Sequence, residues 1–387
     1  MSGLLFVAGS LPGAIVLAHG AWWTLLSLLA IPRPARRRYP LSREWRFAVV
    51  IPAHNEEALI ARCLASLRNV PFVPGPELVV VADNCTDRTA ALARCDGATV
   101  LERNSDSERG KVYALRFALH HLATRTTPPD AIVVVDADSR VSPGFFHAIA
   151  GRLERGAAAV QVHYAAEPAA GNVPALRRLA LGLVHWSRPL GASRLGLGTS
   201  LKGNGMAFRI DIARLGMEAE GLAEDAAATL ALAAANVPIT FEPAATVFGP
   251  MASSYREART QDRRWEGGRL ALVPRAATLA LRRFLRGQLA AGHGALEVAG
   301  LPLSLLAALA GLALTLGLAG IASLWLAIAA AGSLLGYVAA GLFAVHPPLR
   351  DLLALAAAPR FLAYKLTVFA GLLLQRQRSW ERTSRRR

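Results

Sequence analysis

The chain combines a strongly apolar composition with a large positive charge. Its 387 residues include 43 Lys and Arg against 27 Asp and Glu, a formal charge of +16, and the mean hydropathy is +0.34. Charged residues make up 18% of the chain, whereas soluble domains average roughly 25%. The high apolar content excludes an intrinsically disordered chain and argues against a soluble nucleic-acid-binding protein. We therefore predict a membrane protein with a cationic side facing the membrane.

Residues 1–46 are predicted to form a membrane-spanning helix and a basic juxtamembrane segment. Residues 4–31 carry no formal charge, are long enough to cross a bilayer, and include Trp22 and Trp23 near their end. Six Arg follow within residues 33–46, which favours a cytoplasmic position for this flank. A signal peptide is the alternative, but it would have a basic leader, and the first three residues contain no basic side chain.

The second half of the chain contains further membrane segments. Residues 298–345 carry no charge and predict two transmembrane helices. Residues 251–297, rich in Arg, Leu and Ala, predict amphipathic helices lying in the membrane interface. Residues 346–387 are expected to contain another interfacial helix and a basic cytoplasmic tail, because Arg360 and Lys365 would be costly in the middle of a bilayer.

Residues 47–250 have the pattern of one α/β domain. Short β-branched runs at 47–52, 78–83 and 131–136 alternate with helical segments. Such runs are typical of strands buried on both faces, so we predict a doubly wound, mostly parallel sheet. Acidic residues follow these strands, at the sheet edge where ligands of open α/β folds bind.

Two acidic pairs are candidates for chemistry. Asp136 and Asp138 end a strand and provide oxygen ligands for a hard divalent cation and its bound phosphates. A turn cap is the alternative for this pair. Glu224 and Asp225 precede a predicted helix, where acidic residues also serve ordinary helix electrostatics. His54, after the first strand, is more typical of a structural turn than of a catalyst.

Seven motifs occur in an order that resembles a known family. They lie at residues 52–57, 83–87, 110–111, 136–138, 203–207, 224–225 and 261–265. This series resembles the membrane-bound family-2 glycosyltransferases, inverting enzymes of GT-A fold that include cellulose, chitin and hyaluronan synthases. The last motif, Gln261–Trp265, matches the family's Q-x-x-R-W, and residues 380–385 resemble its W-x-[RK]-T-x-R ending. The resemblance covers about residues 46–270.

The resemblance implies a donor site and a metal site. Glu56 and Asp83 would contact the base and ribose of a nucleotide sugar. Lys111 would lie near the diphosphate, and Asp136 would help to hold the nucleotide. Asp138 would bind Mg²⁺ or Mn²⁺.

The resemblance also implies a base and an acceptor site. Asp225 would be the general base, while Glu224 and Trp265 would contact the acceptor and Arg264 would complete the donor site. Gln261 and Arg263 are the remaining polar residues of the motif. The loop that would border the acceptor consists of Gly203, Asn204 and Gly205. The family's usual Thr before Glu-Asp is Ala223 here.

The function implied is transfer of a sugar from a nucleotide donor, expected to be UDP-linked, to a lipid or lipid-linked saccharide. The enzyme would lie in the inner membrane as a multi-pass protein with its catalytic domain in the cytoplasm. A processive polysaccharide synthase, working with an export or assembly protein, is the alternative within this class. A membrane scaffold or transporter with an inactive domain is the alternative of another class. No nucleic-acid-recognition motif is present.

Overall fold

The computed structural model describes residues 2–34, 40–219 and 223–374. The sequence motif at 380–385 and part of the basic segment within residues 33–46 lie outside the described residues. The described strands are β1 (Phe47–Ala53), β2 (Glu77–Asp83), β3 (Thr99–Arg103), β4 (Ala131–Val134), β5 (Arg140–Val141), β6 (Ala159–Ala166), β7 (Met206–Arg209) and β8 (Ile239–Gly249).

One long helix precedes the strands, further helices alternate with them, and the remaining helices follow the last strand. The α-helices up to residue 234 are α1 (Ser2–Ala30), α2 (Ile60–Arg68), α3 (Thr89–Cys95), α4 (Lys111–Ala123), α5 (Phe145–Glu154), α6 (Asn172–Gly182), α7 (Arg188–Arg194), α8 (Ala213–Met217) and α9 (Glu224–Ala234). The later ones are α10 (Tyr255–Leu285), α11 (Leu289–Ala299), α12 (Leu303–Leu318), α13 (Leu324–Val345), α14 (Leu349–Leu353) and α15 (Ala358–Leu374). A π-helical turn, Leu183–Ser187, joins α6 to α7, and 3₁₀ turns occupy Ile210–Ile212 and Ala354–Ala357.

The eight described strands form one sheet in the order β3-β2-β1-β4-β7-β6-β8-β5. The pairs β1–β2, β2–β3, β1–β4 and β6–β8 are parallel, whereas β4–β7, β6–β7 and β5–β8 are antiparallel. This mixed, mostly parallel sheet with helices on both faces confirms the predicted fold class. The antiparallel insertion of β7 between β4 and β6 was not predicted.

The central strands are buried on both faces because each face of the sheet carries its own helices. On one face, Ile51 packs in a core with Leu64 of α2 and Phe146 of α5. On the other face, Val50 packs in a core with Leu115 of α4. This arrangement explains why the strand sequences are continuously apolar rather than alternating.

Three helical segments in the described part of the chain are long and apolar enough to cross a membrane. They are Leu4–Ala30, Leu324–Val345 and Leu349–Leu372. The pair Leu289–Ala299 and Leu303–Leu318, bent by 70°, makes a fourth if it counts as one span. The expected interfacial helix at 352–374 therefore stays a prediction, because this segment also meets the criteria for a span.

Helices α1, α12 and α13 pack together and contact the α/β domain. Trp23 of α1 and Tyr337 of α13 are buried in one apolar cluster with Leu306 of α12. Helix α1 also crosses α7 at Gly191, where a Cβ atom would collide with the Leu26 carbonyl group and lie 2.6 Å from its carbon. Glycine thus lets the two helix backbones touch.

We predict that Gly191→Ala destabilises the packing of α1 against α7. Overpacking of this kind costs roughly 1–3 kcal/mol, because the backbone of α1 must move away. We expect a thermal unfolding midpoint in detergent that is lower by several degrees. Gly332→Ala in α13 is the matched control, since an added methyl group there meets no atom within 4 Å. An unchanged midpoint for Gly191→Ala would contradict the close helix contact.

Candidate active site

A cavity of about 1920 Å³ lies at the carboxyl ends of β1, β2 and β4 and continues between the later helices. It gathers most of the predicted site residues. Those that line it are Glu56, Asp83, Lys111, Asp136, Asp138, Gly203, Glu224, Asp225, Gln261, Arg264 and Trp265. Asn204, Gly205 and Arg263 are the predicted site residues that do not line it.

An ion pair connects the helix α4 to the acidic turn after β4. The Lys111 ammonium donates to Asp136 Oδ1 and also to the Gly203 carbonyl oxygen. Burial raises the pKa of Asp136, with Asp138 adding to this rise and Lys111 opposing it. Burial by itself would lower the pKa of Lys111, but the attraction of Asp136 and of Glu224 raises it. Lys111 therefore stays charged and holds the turn and the glycine loop together.

Asn204 supports the same turn from below. Its Oδ1 accepts a hydrogen bond from the Asp136 backbone N–H at 3.2 Å, and its Nδ2 donates to Ser139 Oγ at 2.8 Å. Ser139 Oγ in turn donates to Asp138 Oδ1 at 3.1 Å. The expected position of Asn204 at the acceptor is thus corrected: its buried amide satisfies the polar groups behind the Asp136–Ser139 turn.

The glycine loop brings the backbone close to the general-base candidate. Gly203 has φ +80°, and an added Cβ atom there would lie 3.6 Å from Asp225 Oδ2. Gly205 has φ +65°, and an added Cβ atom would collide with Val162 and lie 2.7 Å from Val247 Cγ1. Both positions thus require glycine, one for conformation beside the site and one for packing beneath it.

Asp83 is buried in an ion pair that the sequence did not reveal. Its Oδ1 accepts from Arg103 Nη1 at 2.7 Å, and both side chains are less than 10% exposed. Arg103 also contacts Glu108 through its other terminal nitrogen, at 2.6 Å. His54 Nδ1 lies 2.7 Å from the Asp83 carbonyl oxygen, which agrees with its interpretation as a structural turn residue.

Glu224 and Asp225 form the first turn of α9 and face the cavity together. Asp225 Oδ1 accepts from the Ala226 backbone N–H at 2.8 Å. Burial raises the pKa of Asp225, and burial together with the charge of Asp225 raises the pKa of Glu224. Two adjacent carboxyl groups in one buried site hold a proton more readily than isolated ones, as a proton-accepting pair requires.

The residues of the Q-x-x-R-W motif point in different directions. Arg177 of α6 donates to Gln261 Oε1 at 2.9 Å and forms a bidentate pair with Asp262 at 2.9 and 3.1 Å. Arg263 lies against Gly371 of α15, away from the cavity. Gln261 lines the cavity, but its amide oxygen already accepts a hydrogen bond from Arg177.

Arg264 and Trp265 line the cavity together with Gln261 of the same motif. The structure gives Arg264 no hydrogen bond or ion pair with residues 2–34, 40–219 or 223–374. Trp265 is 37% exposed. A cation and an aromatic ring are thus offered to the cavity from the same helix.

All three lysines of the chain line this cavity. Lys202 pairs with Glu297 of α11 at 3.2 Å, and Lys365 of α15 pairs with Glu266 of α10 at 2.6 Å. Sequence reasoning did not identify Lys202 or Glu297 as site residues. The scarcity of lysine among 43 basic residues was the available signal.

The far part of the cavity is apolar. It is lined by side chains of α12, α13 and α15, among them Leu303, Leu314, Leu334, Val338 and Leu362. One continuous space therefore joins the acidic turn to an apolar passage between candidate membrane helices.

The acidic turn supplies hard oxygen ligands but no complete metal cage. In the described residues no group of three or more His, Cys, Asp or Glu is arranged to hold a metal ion. Asp136 and Asp138 suit a Mg²⁺- or Mn²⁺-type ion that takes its remaining ligands from water and substrate phosphates. The donor set therefore fits an ion that arrives with a nucleotide diphosphate.

Thiol labelling should report on the packing of this turn. Cys63 is buried, its Sγ lies 3.6 Å from the Asp136 carbonyl oxygen, and burial raises its pKa to about 12. Because the thiol stays neutral up to strongly alkaline pH, we expect iodoacetamide to modify exposed Cys95 first and Cys63 last at pH 8. Peptide mass spectrometry measures the order. Fast labelling of Cys63 in folded protein would contradict the packed turn.

The fold resembles that of a solved transferase. The mannosyltransferase PcManGT from Pyrobaculum calidifontis, in complex with GDP-Man and Mn²⁺, aligns with 95% of this chain and 100% of its own chain. The TM-score is 0.53 and the sequence identity is 18%, so the similarity concerns the fold alone.

Two curated relatives are similar to part of this chain. The beta-monoglucosyldiacylglycerol synthase of Nostoc sp. is 32% identical over 170 residues, which cover 42% of this chain and 35% of the relative. The 4,4'-diaponeurosporenoate glycosyltransferase of Staphylococcus aureus is 37% identical over 92 residues, which cover 23% of each chain. The matched part of the chain thus spans about a third of the first relative's length and about a quarter of the second's.

A family model also matches the chain. The model described as "Glycosyltransferase like family 2" matches residues 45–268, more than half of the chain. This interval contains the seven motifs on which the resemblance rests, so the family prediction is confirmed. The chain belongs to glycosyltransferase-like family 2.

Proposed function

We propose that this protein is an inverting, metal-dependent glycosyltransferase that moves a sugar from a nucleotide donor to a lipid acceptor at a membrane. The observation that carries the proposal is that one continuous cavity joins two chemically different ends. One end has the acidic turn, Lys111 and Asp225, and the other end is an apolar passage lined by α12, α13 and α15. Such a space suits a charged donor and an apolar acceptor that must meet.

The donor would bind at the edge of the sheet. Glu56 and Asp83 would contact the base and ribose, and Asp136 would help to hold the nucleotide. Lys111 would lie near the diphosphate, and Arg264 would contact it. The solved neighbour carries GDP-Man and Mn²⁺, while our expectation from the resemblance is a UDP-linked sugar. A screen of UDP- and GDP-sugars that detects the released nucleoside diphosphate identifies the donor.

A divalent ion held by Asp138, when bound, would neutralise the negative charge of the leaving diphosphate. Arg264 would add to this stabilisation, because it lines the cavity and makes no hydrogen bond or close ion pair with the described residues, although its charge acts on Glu224. Lys111 is committed to Asp136 and Gly203, so its contribution would be to keep the acidic turn in place.

Asp225 would remove the proton from the attacking acceptor hydroxyl. The acceptor oxygen forms a bond to the anomeric carbon as the bond to the diphosphate breaks, and the proton passes to the carboxylate. One in-line displacement inverts the anomeric configuration, and the diphosphate leaves as an anion without needing an acid. Glu224, Trp265 and the backbone of the Gly203 loop would surround the acceptor.

A lipid acceptor is supported by the apolar passage and by the names of the relatives, which refer to a glucosylated diacylglycerol and to diaponeurosporenoate. A lipid-linked saccharide would fit the same space. Product mass analysis separates these acceptors from the processive alternative, because a lipid enzyme adds a single sugar whereas a polysaccharide synthase gives a ladder of products.

The charge distribution supports a position at the inner membrane with the catalytic domain in the cytoplasm. Residues 47–250 have 19 basic and 20 acidic residues, whereas residues 251–387 have 18 basic and six acidic ones. Cytoplasmic leaflets are anionic and attract such basic flanks. Nucleotide sugars are available on the same side.

Asp225→Asn should abolish transfer while nucleotide binding persists. The amide cannot accept the hydroxyl proton, so we expect a rate loss of at least about 100-fold. Because burial raises the pKa of Asp225, the rate of the wild-type enzyme should fall as the pH is lowered through this raised pKa and the base becomes protonated. Released nucleoside diphosphate measures the rate, and calorimetry measures nucleotide binding.

Asp211→Asn is the matched control for this carboxylate, since Asp211 is 56% exposed and does not line the cavity. It should transfer sugar at the wild-type rate. Transfer retained by Asp225→Asn would remove Asp225 from the role of base.

Asp138→Ala should instead weaken metal-dependent nucleotide binding. Loss of this oxygen ligand should reduce the affinity for a nucleoside diphosphate in Mn²⁺ by at least about tenfold, with little effect in EDTA. Titration of the diphosphate with and without Mn²⁺ measures the difference. Equal affinities for wild type and variant in Mn²⁺ would exclude Asp138 from the metal site.

A further inference from the structure

We infer that the lipid acceptor carries, besides its reactive hydroxyl, an anionic group that binds Arg188. This inference rests on the proposed function and specifies the acceptor class: a lipid with a phosphate or a carboxylate between its hydroxyl and its chains. Arg188 belongs to none of the sequence motifs and lines the cavity at the beginning of α7.

Arg188 is a buried cation without an anionic partner. The residue is 6% exposed, and its Nε has no hydrogen-bond partner. No carboxylate in residues 2–34, 40–219 or 223–374 lies within ion-pair distance of its guanidinium group. The group instead lies 4.3 Å from the ring centroid of Trp23 and 5.9 Å from that of Tyr337.

Aromatic faces stabilise a cation only in part. Cation–π contacts offset only part of the free-energy cost of burying an ion. A guanidinium group also has a planar fork of donors that matches phosphate and carboxylate oxygens. Arg188 is thus held by the Trp23 ring and by the side chain of Tyr337, while its buried Nε has no hydrogen-bond partner and remains available to an anion.

One carboxylate oxygen of Glu297, an acidic residue whose pKa is affected by the charge of Arg188, already accepts hydrogen bonds from other groups. Glu297 Oε2 accepts from Lys202 Nζ, Thr199 Oγ1 and the Ser200 backbone N–H, at 3.2, 2.9 and 2.7 Å. Arg269 adds a further positive charge, although its Nη2 donates to the Glu297 and Gly300 carbonyl oxygens. This part of the cavity therefore has more positive than negative charge.

Three further polar atoms in residues that line the same cavity lack hydrogen-bond partners. They are Glu297 Oε1, Ser304 Oγ and Arg177 Nε, although Arg177 already pairs with Asp262 through its Nη1. Buried polar atoms are normally paired, so the unpaired atoms of Arg188, Glu297 and Ser304 indicate a polar ligand. An anionic headgroup with a neighbouring hydroxyl would satisfy the guanidinium donor, the carboxylate acceptor and the serine.

The cluster lies between the base and the apolar passage. Asp225 lies beside Gly203. The residue that precedes Gly203 in the chain, Lys202, forms an ion pair with Glu297 near the end of α11. The residues that line the cavity directly after Glu297 in the chain are apolar, beginning with Val298 and Leu301. A lipid whose hydroxyl reaches Asp225 and whose chains enter the passage would thus place its headgroup beside Arg188.

Direct lipid binding tests the inference without relying on transfer. Native mass spectrometry of the detergent-solubilised full chain compares dioleoyl phosphatidylglycerol with dioleoylglycerol, both of which carry a hydroxyl. We expect the wild-type protein to prefer the anionic lipid by about tenfold and Arg188→Gln to lose this preference, as loss of one charge-assisted contact predicts. Arg188→Lys, which keeps the charge, should retain part of it.

Arg350→Gln is the matched control for non-specific attraction, because Arg350 is 72% exposed and lies on α14. It should keep the wild-type preference. Binding of a nucleoside diphosphate with Mn²⁺ shows whether each variant is folded, since Arg188 is not among the residues of the proposed donor site. A wild-type preference in folded Arg188→Gln, or no preference in wild type, would overturn the inference.

Inorganic phosphate separates the two sources of an anion. It lacks chains to fill the apolar passage, so we expect it to show no Arg188-dependent binding at the concentrations that saturate the lipid. Arg188-dependent phosphate binding without lipid preference would overturn the assignment to a lipid. Failure of the donor screen together with a confirmed lipid preference would contradict the proposed transfer but not the lipid site.

Discussion

The ion pair between Lys111 and Asp136 is the contact on which the polar half of the site depends. It joins the start of α4 to the turn after β4, and the same ammonium group holds the Gly203 carbonyl oxygen. Gly203 in turn adjoins Asp225. Three segments distant in sequence thus share one cation, which fixes the distance between the acidic turn and the base. Because these groups are buried, removing the cation would leave carboxylates that favour protonation over ionisation.

In the other half of the site, ion pairs and hydrogen bonds neutralise several of the buried charges. Arg177 holds the amide and carboxylate at the start of the Q-x-x-R-W motif, and Lys202 is neutralised by Glu297. These pairs let polar residues approach an apolar passage without leaving unpaired charges. Arg188 stands out because aromatic rings rather than a carboxylate surround it. In our inference, the anionic group of the lipid acceptor balances the charge of Arg188.

The sequence predicted the elements whose physical cause is local. Continuous β-branched runs identified β1, β2 and β4, and the carboxylates that follow them marked the edge of the sheet. The short strand β7 has only four residues and pairs antiparallel with β4 and β6, so no local pattern announces it. Likewise, Asn204 supports Asp136 from 68 residues away, and Arg103 reaches Asp83 across 20 residues. Such contacts are products of tertiary packing and leave no local pattern in the sequence.

Lys365, in the last apolar segment of the chain, is neutralised by acidic partners that are distant in sequence. Lys365 favours an interfacial helix if it is considered alone, because an isolated ammonium group in hydrocarbon is costly. In the fold it contacts Glu266 at 2.6 Å and Asp262 at 3.5 Å, both on α10. The pair is 12% to 16% exposed and needs neither water nor headgroups to satisfy it. The charge of Lys365 therefore does not by itself require α15 to lie at the membrane interface.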